Sequence, residues 1–278
     1  MSDVTTSGSS SPDTSRRSGE RPDKPAPSVF ALSMAVGVVV FTVVTVVATD
    51  FSLAGIIEDL SRPNSSFQGL LNLDWSQVTN PRALAAFVET VQMAVVGTII
   101  GGFAALPLAL WASRVGAPNA AVMWTAKTFN NIVRAIPDVL WALLFVAMVG
   151  IGVLPGILAL IFFSIAVTSK LTSDVLDGID MGPVEAARAA GSSHTQMLRT
   201  SIVPQILPSY VSFLLYNFEL NLRASAVLGL VGAGGIGQLI DFYRGARAWP
   251  QVWGIIVLFL IVTIVVEQIS VMLRRRLV

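Results

Sequence analysis

The chain has 278 residues, of which 54% are hydrophobic and 13% charged, and its mean hydropathy is +0.72. So few charges cannot clothe a soluble globule of this size, and the composition is that of an all-α polytopic membrane protein. The net charge of +1 comes without a concentrated basic face, which excludes a nucleic-acid partner. The absence of cysteine excludes disulfides and thiolate metal sites, and a lone histidine, His194, cannot build a His-based metal site.

In chain order, residues 1–28 are rich in Ser, Pro, Thr, Asp and Arg and are expected to form a disordered tail. Residues 29–48 are uncharged, rich in valine, and long enough to cross a hydrocarbon core of ~30 Å. Val46-Val47-Ala48-Thr49 is a poor cleavage pattern, so an uncleaved first span is expected. Residues 49–85 are mixed, with Ile56, Ile57 and Leu60 on one helical face and Trp75 among Leu70, Leu71 and Leu73. Such segments lie along a membrane surface and form an outer loop.

A membrane core is expected from residue 86 to 278. Its first span lies between Glu89 and Arg114, where Gly97, Gly101 and Gly102 allow close helix approach and Pro107 introduces a bend. Residues 139–169 carry no charge and are interrupted by Gly150, Gly152, Pro155 and Gly156, so two spans meet there in a tight turn. The earlier of the two is long enough only if its helix reaches back through Pro137 and Arg134 toward Met123, which brings Arg134 and Asp138 into or near the membrane. The next spans are expected over 154–169, 209–230 and 252–273, giving about six transmembrane helices in all. Six spans put both termini on one side. If that side is cytoplasmic, most of the basic residues are inside, among them Arg16, Arg17, Arg21, Lys24, Arg114, Lys127, Lys170, Arg188, Arg199, Arg274, Arg275 and Arg276.

A polar island within residues 173–207 interrupts these apolar segments. Pro183 fits a first helical turn and Gly191 a left-handed cap, which defines one short helix. Ser193 and Gln196 have the form of a capping box, and Met197, Leu198, Ser201 and Ile202 give a second helix an apolar side before Pro204 stops it. Two short helices joined by a glycine turn make a knob suited to a groove on another protein.

Here the sequence resembles the permease subunits of binding-protein-dependent ABC importers, whose cytoplasmic coupling loop reads Glu-Ala-Ala, three residues, Gly, nine residues, Ile, one residue, Leu-Pro. Glu185, Ala186, Ala187, Gly191 and Pro204 match, whereas Ser201 stands in place of Ile and Val203 in place of Leu. The resemblance implies that these residues dock into a cleft of an ATPase subunit. The segments 131–137 and 226–237, together with 179–191, narrow the likeness to the phosphonate-type permeases, with the methionine type as close relatives. It extends from about Glu89 to the end of the chain.

The resemblance implies a homodimer of this permease, two cytoplasmic ATPases, an extracytoplasmic substrate-binding protein and alternating access. The solute it implies is a small anion, phosphonate first, with phosphite or another small solute such as an amino acid as alternatives. A channel or secondary transporter working without an ATPase is the reading from a different class.

Two features remain. Residues 232–237 satisfy a dinucleotide fingerprint, but a membrane helix precedes them and no acidic residue follows at the required distance, so that reading is rejected. Gly234 and Gly235 either break the span or offer backbone N–H groups to an anion at an outer mouth. The intramembrane charges Glu219 and Arg223, and likewise Arg134 and Asp138, stand four residues apart, so each pair can share a helical face. They are structural ion pairs, or Arg223 and Arg134 face the pathway of an anion. No Walker motif, metal-ligand set or activated nucleophile is present in the sequence, so the chain is expected to be no enzyme, to need no cofactor, and to leave ATP hydrolysis to its partners.

Overall fold

In the computed structural model the described residues are 28–49, 52 and 65–276, and they contain helices and no strands. The chain divides into two compact units, residues 1–62 and 63–278. The first holds α1 (Val29–Ala48), which Ser28 caps by accepting a hydrogen bond from the Ala31 N–H. The expected disordered tail, and the Ile56, Ile57 and Leu60 face, lie outside the described residues.

The second unit begins with α2 (Ser65–Leu71), a 3₁₀ turn over Trp75–Val78, and α3 (Pro81–Trp111), which starts five residues before the expected boundary at 86. Asp74 caps the turn, and the hydrogen bonds from Ser76 and Gln77 hold its carboxyl below the usual carboxylate range. α4 (Ala120–Ala135) and α5 (Asp138–Val149) follow, then α6 (Val153–Leu176), α7 (Gly182–Ala189) and α8 (His194–Met197). A π turn over Leu198–Ile202 leads into α9 (Val203–Gly229), and α10 (Gly235–Gly245) and α11 (Trp249–Arg274) complete the unit.

Four of these helices, α1, α3, α6 and α11, are long and apolar enough to cross a membrane, and α4 with α5 makes a fifth only as a bent pair. The helix at the expected fifth span, α9, has 27 residues and therefore the length, about 40 Å. It lacks the apolarity because it carries Asn217, Glu219, Asn221 and Arg223. Packing buries three of these, Asn217, Glu219 and Asn221.

The centre is a tight triplet of α3, α6 and α9. A Cβ on Gly97 would lie 2.6 Å from the Leu160 Cβ, and one on Gly101 would lie 2.3 Å from the Ser164 Cβ, so α3 and α6 touch along their backbones as the glycine spacing suggested. Polar groups then pin α9 to both. Asn221 Nδ2 donates to Thr98 Oγ1 and to Ser164 Oγ at 2.8 Å each, and the Tyr210 hydroxyl donates to the Gly102 carbonyl at 2.6 Å. Inside a membrane, where water cannot compete, such bonds hold helix register.

Three sequence expectations need correction. The helix does not reach back through Pro137: α4 and α5 meet at 84°. The residue before a proline is driven out of the helical region, and Ile136 is extended, with φ −90° and ψ 119°. Nor does Pro204 stop a helix. It falls in the first turn of α9, where a missing N–H costs little, and the wider π turn before it carries the helical path onward. The fifth long helix consequently starts at Val203 rather than near 209. The charge pairs expected within the spans, Glu219 with Arg223 and Arg134 with Asp138, likewise do not form among the described residues.

Candidate functional site

The loop between α6 and α9 is built from local signals. α7 starts with Pro183 in its first turn and ends on Gly191 at φ 76°. The Ser192 N–H donates to the Ala187 carbonyl and the Gly191 N–H to the Arg188 carbonyl, so the helix closes in a Schellman motif. Ser193 and Gln196 form both bonds of a capping box at the start of α8.

Packing then fixes this knob on the bundle. Val184, Met197, Ile202 and Ile206 join Leu176 and Ala109 in one buried cluster, against which Ala187 packs. His194 Nε2–H donates to the Gly116 carbonyl at 3.1 Å, and Gln205 Nε2 donates to the Asp180 carbonyl at 3.2 Å. Asp177 accepts from the Arg114 N–H at 2.6 Å and lies 3.7 Å from Lys127 Nζ. With one side anchored, Glu185, Ala186, Gly191 and Pro204 are left exposed.

The charges within the spans are arranged differently from the sequence expectation. The Glu219 carboxylate does not pair with Arg223. It pairs with Arg274 at the end of α11, at 2.7 Å, with the Glu219 side chain 5% exposed and that of Arg274 25%. Arg223 is exposed and, among the described residues, reaches only the Glu219 backbone carbonyl, at 3.4 Å. The i,i+4 spacing permits a shared face, but Arg274 arrives from a neighbouring helix with a guanidinium already near the carboxylate, and lies 5.8 Å from the centre of the Tyr216 ring.

The expected Arg134 to Asp138 pair is absent among the described residues. The break at Pro137 puts the two on different helices, and Asp138 turns its carboxylate to the Val139 N–H at 2.9 Å. Both residues line a cavity of about 310 Å³ with Trp141 and Phe163.

Gly234 and Gly235 are buried, with φ 80° and 69°. Their segment is held by α3: the Gly235 N–H donates to Glu89 at 2.8 Å and the Ile236 N–H to Thr90 Oγ1 at 2.7 Å. A carboxylate of the chain itself therefore already occupies the amide that an incoming anion would need. Glu89 and Thr90 were not legible as site residues, since each ends or begins an apolar run and its partner is 146 residues away.

The family model described as "Binding-protein-dependent transport system inner membrane component" matches residues 97–278. The chain belongs to this family. The permease is 42% identical over 189 residues to the phosphate-import permease protein PhnE of Mycolicibacterium smegmatis, covering 68% of this chain and 35% of that relative. It thus spans about a third of that relative's length. It is 36% identical to the phosphite transport system permease protein PtxC of Stutzerimonas stutzeri, covering 68% of each. Among solved structures it is similar to the inward-facing MetNI methionine ABC transporter, with a TM-score of 0.60 at 25% identity over 70% of this chain and 95% of that one. The permease is thus an inner-membrane component of a transport system.

Proposed function

We propose that this permease forms the translocation pathway of an ATP-driven importer for a small tetrahedral phosphorus oxyanion, with phosphonate as the first substrate. The observation that carries the reading is the anchored knob of α7 and α8, which exposes Glu185, Ala186 and Gly191 while its other side is buried. A rigid, protruding helix pair transmits motion, and closure of two ATPases under two such knobs would tilt the attached spans. Phosphite is the second reading, favoured by the likeness to PtxC.

The partners in this reading are cytoplasmic ATPase subunits, an extracytoplasmic binding protein and a second copy of the permease. Support for the second copy comes from α9, where Tyr216, Arg223, Val227 and Leu230 form an exposed stripe. Both termini and the knob are on the cytoplasmic side, where the basic residues collect. Arg223 serves the pathway, because an anion crossing an apolar barrier needs a compensating charge and the carboxylate beside Arg223 is already taken by Arg274. Arg134 belongs to the same pathway through its cavity at the α4 to α5 break. Gly234 and Gly235 act there as the hinge of the outer end.

The test is co-expression with candidate ATPase and binding-protein genes, copurification through the permease, and ATP hydrolysis in vesicles on addition of binding protein loaded with methylphosphonate, phosphite or methionine. Stimulation by either phosphorus oxyanion and not by methionine is expected. Uptake that persists with no ATPase in the complex would overturn the reading.

A further inference from the structure

A second cluster of positive charge lies at the same end of the bundle as the α7 to α8 knob. The C-terminal end of α11 and the first half of α9 border an open, largely apolar cavity of about 510 Å³, lined by Ser209, Ser212, Phe213, Val271, Arg274 and Arg275. This volume is within the range of small-ligand pockets. Arg274 is not a freely solvated end-of-helix charge, because Glu219 holds it at 2.7 Å. A guanidinium has five N–H donors, and the Arg274 Nε is buried with no acceptor among the described residues. Arg275 adds a second cation, and Glu219 neutralises only one of the two. Ser209 and Ser212 bring hydroxyls that can donate to an oxyanion.

The sequence of α9 connects this cavity to Arg223. Ser209, Ser212, Tyr216, Glu219 and Arg223 follow one another at alternating spacings of three and four, and so lie on one stripe of the helix. Along that stripe Glu219 meets one cation at its backbone carbonyl, Arg223, and another at its carboxylate, Arg274. An oxyanion leaving Arg223 therefore finds the next guanidinium on the same face, partly discharged by Glu219 and so unable to trap it as a bare arginine pair would.

We propose that the Arg274 and Arg275 cavity is a second phosphorus-oxyanion site, at which the transported anion is held after it leaves Arg223. This rests on the pathway reading of Arg223 given above. The same chemistry suits the phosphate of an anionic lipid, because basic pockets between spans at a membrane surface bind such headgroups.

The chain has no cysteine, so Ser212→Cys, with Ser209→Cys as a second reporter, places a single permease thiol in the cavity. Permease and ATPase are reconstituted together in phosphatidylcholine nanodiscs, and labelling of the permease by a sulfonated methanethiosulfonate reagent is timed. Methylphosphonate at ten times its half-protecting concentration should slow labelling about tenfold, as simple mass action requires. Sodium chloride at equal ionic strength should not, and Arg275→Gln should abolish the protection while the complex still assembles. Protection seen only after phosphatidylglycerol is added, with no free oxyanion, would assign the cavity to lipid phosphate and overturn the transport role. Labelling unaffected by either, or slowed equally by chloride, would overturn the site itself. Import could still proceed in that case, so this failure is distinct from a failure of the importer reading.

Discussion

Replacing Arg274 by methionine tests the rearranged charge pair directly. The substitution leaves the Glu219 carboxylate, 5% exposed, without its cation. Breaking a fully buried pair from one side costs about 3–5 kcal/mol, and the 25% exposure of the Arg274 side chain lowers this to about 2–4 kcal/mol. Arg223→Met removes an exposed side chain with one 3.4 Å contact to a carbonyl, worth less than about 1 kcal/mol. In a domain of this size each kcal/mol moves the thermal midpoint by about 2–4 °C, so Arg274→Met should lower it by roughly 5–15 °C and Arg223→Met by a few degrees at most. Size-exclusion chromatography of heated, detergent-solubilised permease reads both. Adding Glu219→Gln should restore most of the loss in Arg274→Met, because it removes the stranded charge. If Arg223→Met costs as much as Arg274→Met, or the double change gives no recovery, the pairing described here is wrong.

The other predictions concern the knob, the topology and the helix triplet. Gly191→Ala forces a side chain into a left-handed backbone at a cost of about 1–2 kcal/mol, so it should reduce ATPase stimulation while membrane insertion is retained; full stimulation would count against a coupling role. A Ser192→Cys thiol should react with an impermeant reagent in inverted vesicles and not in whole cells, and labelling from outside would reverse the proposed orientation. Gly101→Val places a branched carbon where even a Cβ would stand 2.3 Å from Ser164, so folded yield should fall several-fold, whereas Gly245→Val, with open space around it, should express normally. Asn221→Leu removes two 2.8 Å bonds and should lower the thermal midpoint by a few degrees, which the same heated chromatography would measure.

Much of this protein is legible without coordinates because its signals are local. The long apolar helices follow from uncharged runs, the close approach of another helix to α3 from its glycines, and the two short helices of the knob from Pro183, Gly191, Ser193 and Gln196. The bonds that close the Schellman motif and capping box join residues at most five apart. The membrane reinforces this legibility, since a spanning segment has to satisfy its backbone within itself.

What the sequence could not decide were the cases with several local options and a distant arbiter. Glu219 had Arg223 within one helical turn, yet its carboxylate belongs to Arg274, 55 residues on, because α11 packs beside α9 and brings a cation to a buried acid. Pro204 looked like a stop, and whether helix continues past it depended on the π turn, whose Ile202 is buried with Met197 and Val184. Gly235 offered an amide, and only the packing of α3 put Glu89 there to take it. Local chemistry fixes which conformations are cheap; in a low-dielectric interior, where an unpaired charge or amide costs several kcal/mol, the tertiary arrangement chooses each partner.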